Sequence, residues 1–261
     1  MASAQRTSLR RGPASSWLCA ALCASLALGV ALSSSSALAA GEWTVVDDDE
    51  GVVVSVKKRG EGVLPVFRGT GIISAPVLDI VAVLHDPERR PDWLPMCAET
   101  RLLKEVHPLE YLLYERVDAP WPVNDRDIVL RSEVRFQEDS RDVRIEFRAD
   151  DSFRVPPVRG VTRMQSLRGF FLLRARGDES TRVTYQLDTH PGGSIPGWMV
   201  EFFSEDTPRD TIVALRKQVR ATRKQGTYAE KVMEWQALQN ARMEATSAAD
   251  PAAPKPASPA P

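Results

Sequence analysis

The residues that could do chemistry are scattered along this sequence. His85, His107 and His190 do not have the HxxxH spacing that would set two metal ligands on one helical face. The sequence has no GxSxG motif and no glycine-rich phosphate loop. Cys97 follows Met96, a setting typical of a small buried hydrophobic residue rather than of a reactive thiol. We therefore expect no bound metal, no cofactor and no catalytic residue.

Two further features are conspicuous but are better interpreted as structural. Arg126 and Asp127 open a predicted strand, and we interpret them as an ion pair or a turn-capping network that fixes the start of that strand. Trp93 and Trp121 are large aromatic residues in proline-containing turns, and we expect them to be packing anchors.

The N-terminal segment is typical of a secretory signal peptide over residues 1–39. Three arginines lie among the first 11 residues, the uncharged stretch Trp17–Leu32 follows, and Ala37-Leu38-Ala39 is a small-x-small cleavage signature. The alternative is a retained membrane anchor, but the apolar run is short for a span of about 20 residues. We predict cleavage near Ala39 and export to a periplasmic or secreted location.

The charge balance excludes a nucleic-acid partner. The chain has 34 Lys and Arg against 35 Asp and Glu, and loss of the three leader arginines leaves 31 basic residues. No basic excess remains to neutralise phosphates. Cys97 is the one cysteine left after cleavage, so no internal disulfide can form. We expect a monomer that is stabilised by one packed core.

Residues 40–225 show the pattern of an α+β domain. A short helix follows Ala75-Pro76 and stops at Asp86-Pro87. Alternating or β-branched segments separated by turn residues predict the strands Trp43–Val46, Val52–Lys57, Val66–Ile73, Thr100–Val106, Glu110–Val117, Asp127–Phe136, Asp142–Ala149, Ser166–Ala175 and Arg182–Thr189. This order indicates an antiparallel sheet with its helices on one face.

A long amphipathic helix is predicted over Pro196–Arg223. One face carries four large apolar residues, which either cap a solid core or line a cavity: Trp198, Met199, Phe202 and Phe203. Pro208 lies inside this helix, so we predict a kink or break near Thr207. A further helix is predicted within 226–245, in contact with the body or with a membrane surface. The Pro/Ala-rich segment 246–261 is predicted to be disordered.

Three motifs occur in an order and spacing that resemble START domains, the steroidogenic-acute-regulatory-related lipid transfer domains. They are Arg90-Pro91-Asp92-Trp93, the segment APWPVNDRDIV that begins at Ala119, and the segment GGSIPGW that begins at Gly192. The resemblance extends from Trp43 to Arg223. It implies a helix-grip fold, in which a curved antiparallel sheet wraps around the long C-terminal helix and encloses a cavity for one lipid, sterol or other apolar molecule.

Sterol-handling members of that family are similar in placing an acidic and a basic side chain inside the cavity. Leu113 and Ser132 stand at those two positions here, with Glu115 on the same face as Leu113. A buried Glu115 without a basic partner would tend to be protonated. Strand alternation predicts the lining residues Leu113, Glu115, Ile128, Leu130, Ser132 and Val134, with Trp198, Met199, Phe202 and Phe203 facing them from the helix.

The main hypothesis is therefore an exported, non-enzymatic protein that binds, and in one version transfers, a single lipid or apolar molecule, with transient membrane contact. A second hypothesis is a helix-grip enzyme of the cyclase or hydrolase type, in which Glu115 would be the acid–base group. A third is an interaction module whose interior is filled.

Overall fold

The computed structural model describes residues 42–59, 64–137, 140–190, 192 and 197–249, except for the side chains of 197–205 and 246–249. The predicted signal peptide and most of the predicted C-terminal tail lie outside this description. The strands are β1 Trp43–Asp49, β2 Val52–Lys57, β3 Val66–Ile73, β4 Cys97–His107, β5 Glu110–Val117, β6 Asp125–Phe136, β7 Val143–Ala149, β8 Val161–Arg163, β9 Ser166–Ala175 and β10 Thr181–His190. The helices are α1 Val77–Leu84, α2 Gly197–Gln225 and α3 Ala229–Ala249, with a 3-10 turn at Arg90–Asp92.

All ten strands belong to one sheet, in the order β1-β2-β3-β10-β9-β7-β6-β5-β4. Neighbours along this path are antiparallel, and β8 adds a short parallel pairing to the start of β6. The helix α2 packs on β2, β3 and β10 and also contacts α1. The α+β class and the helix-grip architecture predicted from the sequence are confirmed.

The core lies between the inner face of the sheet and the helices. Every residue of α1 except Asp79 is buried, as expected of a helix that is apolar all round. Alternation along β6, β7, β9 and β10 sends every second side chain to the same inner face, where Ile145, Leu173 and Val183 are almost fully enclosed. The opposite face carries mostly charged and polar side chains.

Two glycines of β3 let α2 approach the sheet closely. A Cβ atom on Gly69 would lie 3.0 Å from the Pro208 carbonyl oxygen and 3.1 Å from Cδ1 of Ile212. A Cβ atom on Gly71 would lie 3.1 Å from Cγ2 of the same isoleucine. Because glycine has no side chain, these two positions allow α2 to pack this close to the sheet.

Of the kink or break predicted near Thr207, the break is wrong, because α2 runs without interruption from Gly197 to Gln225. Pro208 costs the helix one backbone hydrogen bond, but it packs against Gly69 of the sheet. Arg209 binds Asp47 of β1, with an Nη1–Oδ2 distance of 2.7 Å. These tertiary contacts hold the helix on the sheet at the proline, where local propensity alone favours a break.

The helix α3 occupies the region where a further helix was expected, and it contacts the body through α1. Trp235 is only 4% exposed and packs edge-on against His85, with ring centroids 5.1 Å apart. The helix continues to Ala249, four residues into the segment predicted to be disordered. In the described part of the chain, no helix is both long and apolar enough to span a membrane.

Candidate functional site

A cavity of about 130 Å³ lies against the inner face of the sheet. Its walls come from β3, β5, β6, β7, β9 and β10, from the segment Trp93–Met96, and from Thr207 and Thr211 of α2. The apolar lining includes Phe67, Leu130, Phe147, Leu167, Phe171 and Leu187. This arrangement suits an apolar group more than a polar substrate.

Aromatic rings form one wall of the cavity. Phe171 and Tyr185 stack with their centroids 4.6 Å apart, and the Phe147 ring lies 5.9 Å from that of Phe171. Gly169 makes this packing fit, because a Cβ atom there would lie 2.5 Å from Cζ of Phe147 and 2.3 Å from the Gln186 carbonyl oxygen. The glycine leaves the space that the Phe147 ring occupies.

A buried ion pair joins Arg90 to Glu115 in the cavity wall. Arg90 Nη1 donates to Glu115 Oε2 at 3.0 Å, and both side chains are about a tenth exposed. Arg90 Nη2 also lies 3.3 Å from the hydroxyl oxygen of Tyr111. Burial acts to lower the pKa of Arg90, but Tyr111 and Glu115 outweigh it, and the pKa is raised. The guanidinium therefore remains charged.

The expectation that Glu115 lacks a basic partner is wrong. The partner comes from the 3-10 turn, 25 residues earlier in the chain, and not from the strand that faces Glu115. Strand alternation places Glu115 on the inner face but carries no information on which loop folds over it. Because Glu115 is held by Arg90, it is poorly placed to act as a free acid or base.

Arg126 and Asp127 point to opposite faces of β6. Asp127 accepts two hydrogen bonds from Arg163 of β8, at 2.7 Å and 3.0 Å, so the ion pair predicted at the strand start does involve this aspartate. Arg126 instead lines the cavity, is 5% exposed, and donates from Nη1 to the Asn124 carbonyl oxygen. Burial lowers the pKa of Arg126, although Asp125 acts in the other direction.

The residues predicted to line the cavity occupy different places on the inner face. Glu115 and Leu130 line it. Leu113, Ile128, Ser132 and Val134 are buried on the same face, and the Ser132 Oγ has no hydrogen-bond partner among the described residues. The last four predicted residues lie in α2, but their side chains are outside the description: Trp198, Met199, Phe202 and Phe203.

Arg126 is one of several lining residues that the sequence reasoning missed, although a signal for it was present. The inner face of β6 was identified from Ile128 onward, and the same alternation continued backward by two residues reaches Arg126. The two tryptophans have different outcomes. Trp93 packs against the hydrophobic core, as expected, and also lines the cavity. Trp121 is 91% exposed and is not a packing anchor.

The described residues offer no obvious alternative chemistry. They contain no group of three or more His, Cys, Asp or Glu side chains that could hold a metal ion. Cys97 is 8% exposed. Burial, ahead of the nearby Glu115, raises the pKa of its thiol to about 12, so the nucleophilic thiolate is scarce near neutral pH.

Comparison with known proteins identifies the family. The family model described as START domain matches residues 31–225. The chain belongs to the START domain family. A START relative of known structure, a STAR-related lipid transfer protein from Xanthomonas axonopodis, is 33% identical and has a TM-score of 0.62, covering 68% of this chain and 98% of that one.

Three further proteins are similar to this START domain. An uncharacterized protein of Pseudomonas aeruginosa is 34% identical over 177 residues, which is 68% of this chain and 86% of the relative. The phosphatidylcholine transfer protein of Rattus norvegicus is 21% identical over 65% of this chain and 80% of its own length. Human StAR-related lipid transfer protein 5 shares the fold, with a TM-score of 0.63 at 17% identity, over 69% of this chain and 88% of that one.

Proposed function

We propose that this START domain is exported and binds one lipid or other apolar molecule in its cavity, without catalysing a reaction on it. The observation that carries the proposal is the cavity itself, with walls of phenylalanine and leucine side chains on the inner face of the sheet. Burial of a ligand there would contribute roughly 25 cal/mol per Å² of apolar surface removed from water. A few polar contacts would then orient the ligand.

The size of the cavity indicates how binding must proceed. A space near 150 Å³ accommodates a group about the size of benzene, so a cavity of about 130 Å³ takes only part of a lipid. The remainder requires movement of a covering element. Met96 lines the cavity, and its backbone has a φ of 60°, a left-handed conformation that is rare for residues other than glycine. This strained backbone makes the segment Trp93–Met96 our candidate for that movement.

The relatives support a lipid as the ligand. The Xanthomonas axonopodis relative is described as a lipid transfer protein, and the rat relative as a phosphatidylcholine transfer protein. The enzymatic alternative needs a free acid–base group in the cavity, and Glu115 is engaged by Arg90. The interaction-module alternative needs a filled interior, which is at odds with the cavity.

Native mass spectrometry of the protein purified gently from its producing cells tests export and binding in one measurement. We expect the mass of a polypeptide whose first residue is Ala40 or Gly41. We also expect one bound species, released on denaturation, with the mass of a single lipid. The same protein stripped with organic solvent and exposed to a total lipid extract is the control, and it should regain that mass. A full-length chain with no adduct, before or after lipid exposure, would contradict both parts of the proposal.

A further inference from the structure

The charges on the cavity wall do not balance. Among the described residues that line the cavity, the charged ones are Arg90, Glu115 and Arg126. Arg90 and Glu115 form the ion pair at 3.0 Å and neutralise one another. Arg126 remains, so the described wall carries one net positive charge in otherwise apolar surroundings.

No carboxylate among the described residues forms an ion pair with Arg126, although Asp125 partly offsets its charge. Asp125 Oδ1 accepts from the Ala119 backbone N–H at 3.2 Å, and its Oδ2 lies 3.8 Å from Arg116. Asp127 is turned to the other face of the sheet, where Arg163 holds it. Within the described residues, no carboxylate lies within 4 Å of the Arg126 guanidinium, whose hydrogen bond goes to the Asn124 carbonyl oxygen.

Arg126 is 5% exposed, and burying a cationic side chain is costly when no counter-ion pairs with it. Arginine presents several N–H donors in a planar fork, and one bond to a carbonyl leaves most of them free for an acceptor in the cavity. Carboxylate and phosphate oxygens match that fork and also supply the missing negative charge.

We propose that the ligand of this cavity is an anionic amphiphile, whose carboxylate or phosphate binds the Arg126 guanidinium while its apolar chain contacts Phe147, Phe171 and Leu187. This inference rests on the proposed function, because it specifies the chemical class of the ligand for the same cavity. It assigns Arg126 as the residue that selects an anion over a neutral headgroup. Arg90, held by Glu115, does not have this role.

Three probes with the same chain test the proposal: dodecanol, dodecanoate and dodecyl phosphate. Their dissociation constants are measured on delipidated protein from the change in tryptophan fluorescence, since Trp93 lines the cavity. We expect the two anions to bind about ten- to a hundredfold more tightly than dodecanol, as a charge-assisted hydrogen bond predicts. Inorganic phosphate at millimolar concentration should not displace dodecyl phosphate, because it lacks the apolar chain.

The variants Arg126→Gln and Arg148→Gln form a matched pair. Both remove one positive charge, but Arg148 is an exposed residue on the outer face of the sheet. Arg126→Gln should abolish the preference for the anions over dodecanol, whereas Arg148→Gln should leave this preference unchanged. Arg126→Lys should retain part of the preference. Should Arg126→Gln fail to fold, the preference of the parent protein for dodecanoate over dodecanol decides the question.

The outcomes separate the two levels of the proposal. Equal binding of all three probes to the parent protein would overturn the assignment of Arg126 while leaving the lipid-binding function intact. A preference for anions that survives Arg126→Gln, or that is lost equally in Arg148→Gln, would also overturn it, as would displacement by inorganic phosphate. Failure of every probe to bind would contradict the proposed function itself.

Discussion

The inner face of the sheet has a packed half and a hollow half, and the same strands contribute to both. On β9, Leu173 is fully buried in the packed half, whereas Phe171 lines the cavity. On β6, Val134 is enclosed in the core, whereas Leu130 and Arg126 face the cavity. Side chains alternate between the two faces of the strands in the same way in both halves. The difference in packing therefore comes from the elements that cover each half.

Those covering elements differ in kind. The helix α1, which is apolar on nearly every side, packs against β7 and β9, and α2 inserts Ile212 and Leu215 into the core. Over the cavity lie the segment Trp93–Met96 and the two threonines of α2 that line it. Continuous apolar helices can fill a half-face with side chains, whereas a short irregular segment cannot, and space remains below it. Among the described residues, three charged side chains border that space: Arg90, Glu115 and Arg126.

The largest expected effect comes from removing the acid of the ion pair in the hollow half. Glu115→Leu leaves Arg90 buried without its counter-ion, which should lower the free energy of unfolding by about 3 kcal/mol. The double variant with Arg90→Met should recover most of this loss. Chemical denaturation followed by circular dichroism measures both. A loss below about 1 kcal/mol in Glu115→Leu would mean that the hollow half is as well solvated as a protein surface.

Two tryptophan substitutions test the division between the halves directly. Ser132→Trp adds volume to the packed half and should cost about 1–3 kcal/mol or more, because Ser132 is 1% exposed and faces Tyr111 and Phe147 on the adjacent strands. Leu187→Trp adds volume to the cavity, so it should abolish uptake of a pyrene-labelled lipid at a smaller cost in stability.

Matched controls accompany these two variants. Leu172→Trp, on the outer face of β9, should leave lipid uptake unchanged. Ser132→Ala removes a buried hydroxyl that has no hydrogen-bond partner among the described residues and should not reduce stability. If Ser132→Trp is as stable as the parent protein and still blocks lipid uptake, the cavity extends along β6 as far as Ser132, and this residue does not belong to the packed half.

A smaller effect is expected from pH, at the edge of the packed half. His85 packs between Tyr111 and Trp235, and burial, followed by the charge of Lys231, lowers its pKa to about 3. The unfolded chain takes up this proton near pH 6.5 and the folded protein does not. Stability should therefore fall as the pH decreases below 6.5, by about 1 kcal/mol at pH 5.5.

The variant His85→Gln isolates this contribution. Its free energy of unfolding should change less between pH 7.5 and 5.5 than that of the parent protein, measured by urea denaturation at each pH. The interval lies above the ordinary range of carboxyl pKa values, which limits interference from aspartates and glutamates. Equal slopes for the two proteins would show that His85 takes up a proton in the folded state and that the α1–α3 contact is more open than its burial indicates.

Local pattern was sufficient for most of the secondary structure and for the face that each strand buries. The segments Val52–Lys57, Val66–Ile73, Glu110–Val117 and Ser166–Ala175 are strands with the predicted bounds, because alternation and turn residues act over a few positions. The short strand β8 was missed. It has three residues and pairs in parallel with the start of β6, so its own sequence carries no periodic signal.

The sequence by itself determined the fold class, the inner face of β6 and the presence of Glu115 on that face. Only the tertiary structure decided that Arg90 pairs with Glu115, that Arg163 pairs with Asp127, and that Leu130 borders a cavity while Val134 is packed. The physical reason is the separation along the chain of the residues that each interaction joins. Alternation and capping depend on neighbours along the chain, whereas ion pairing and cavity formation depend on which distant segment covers each strand.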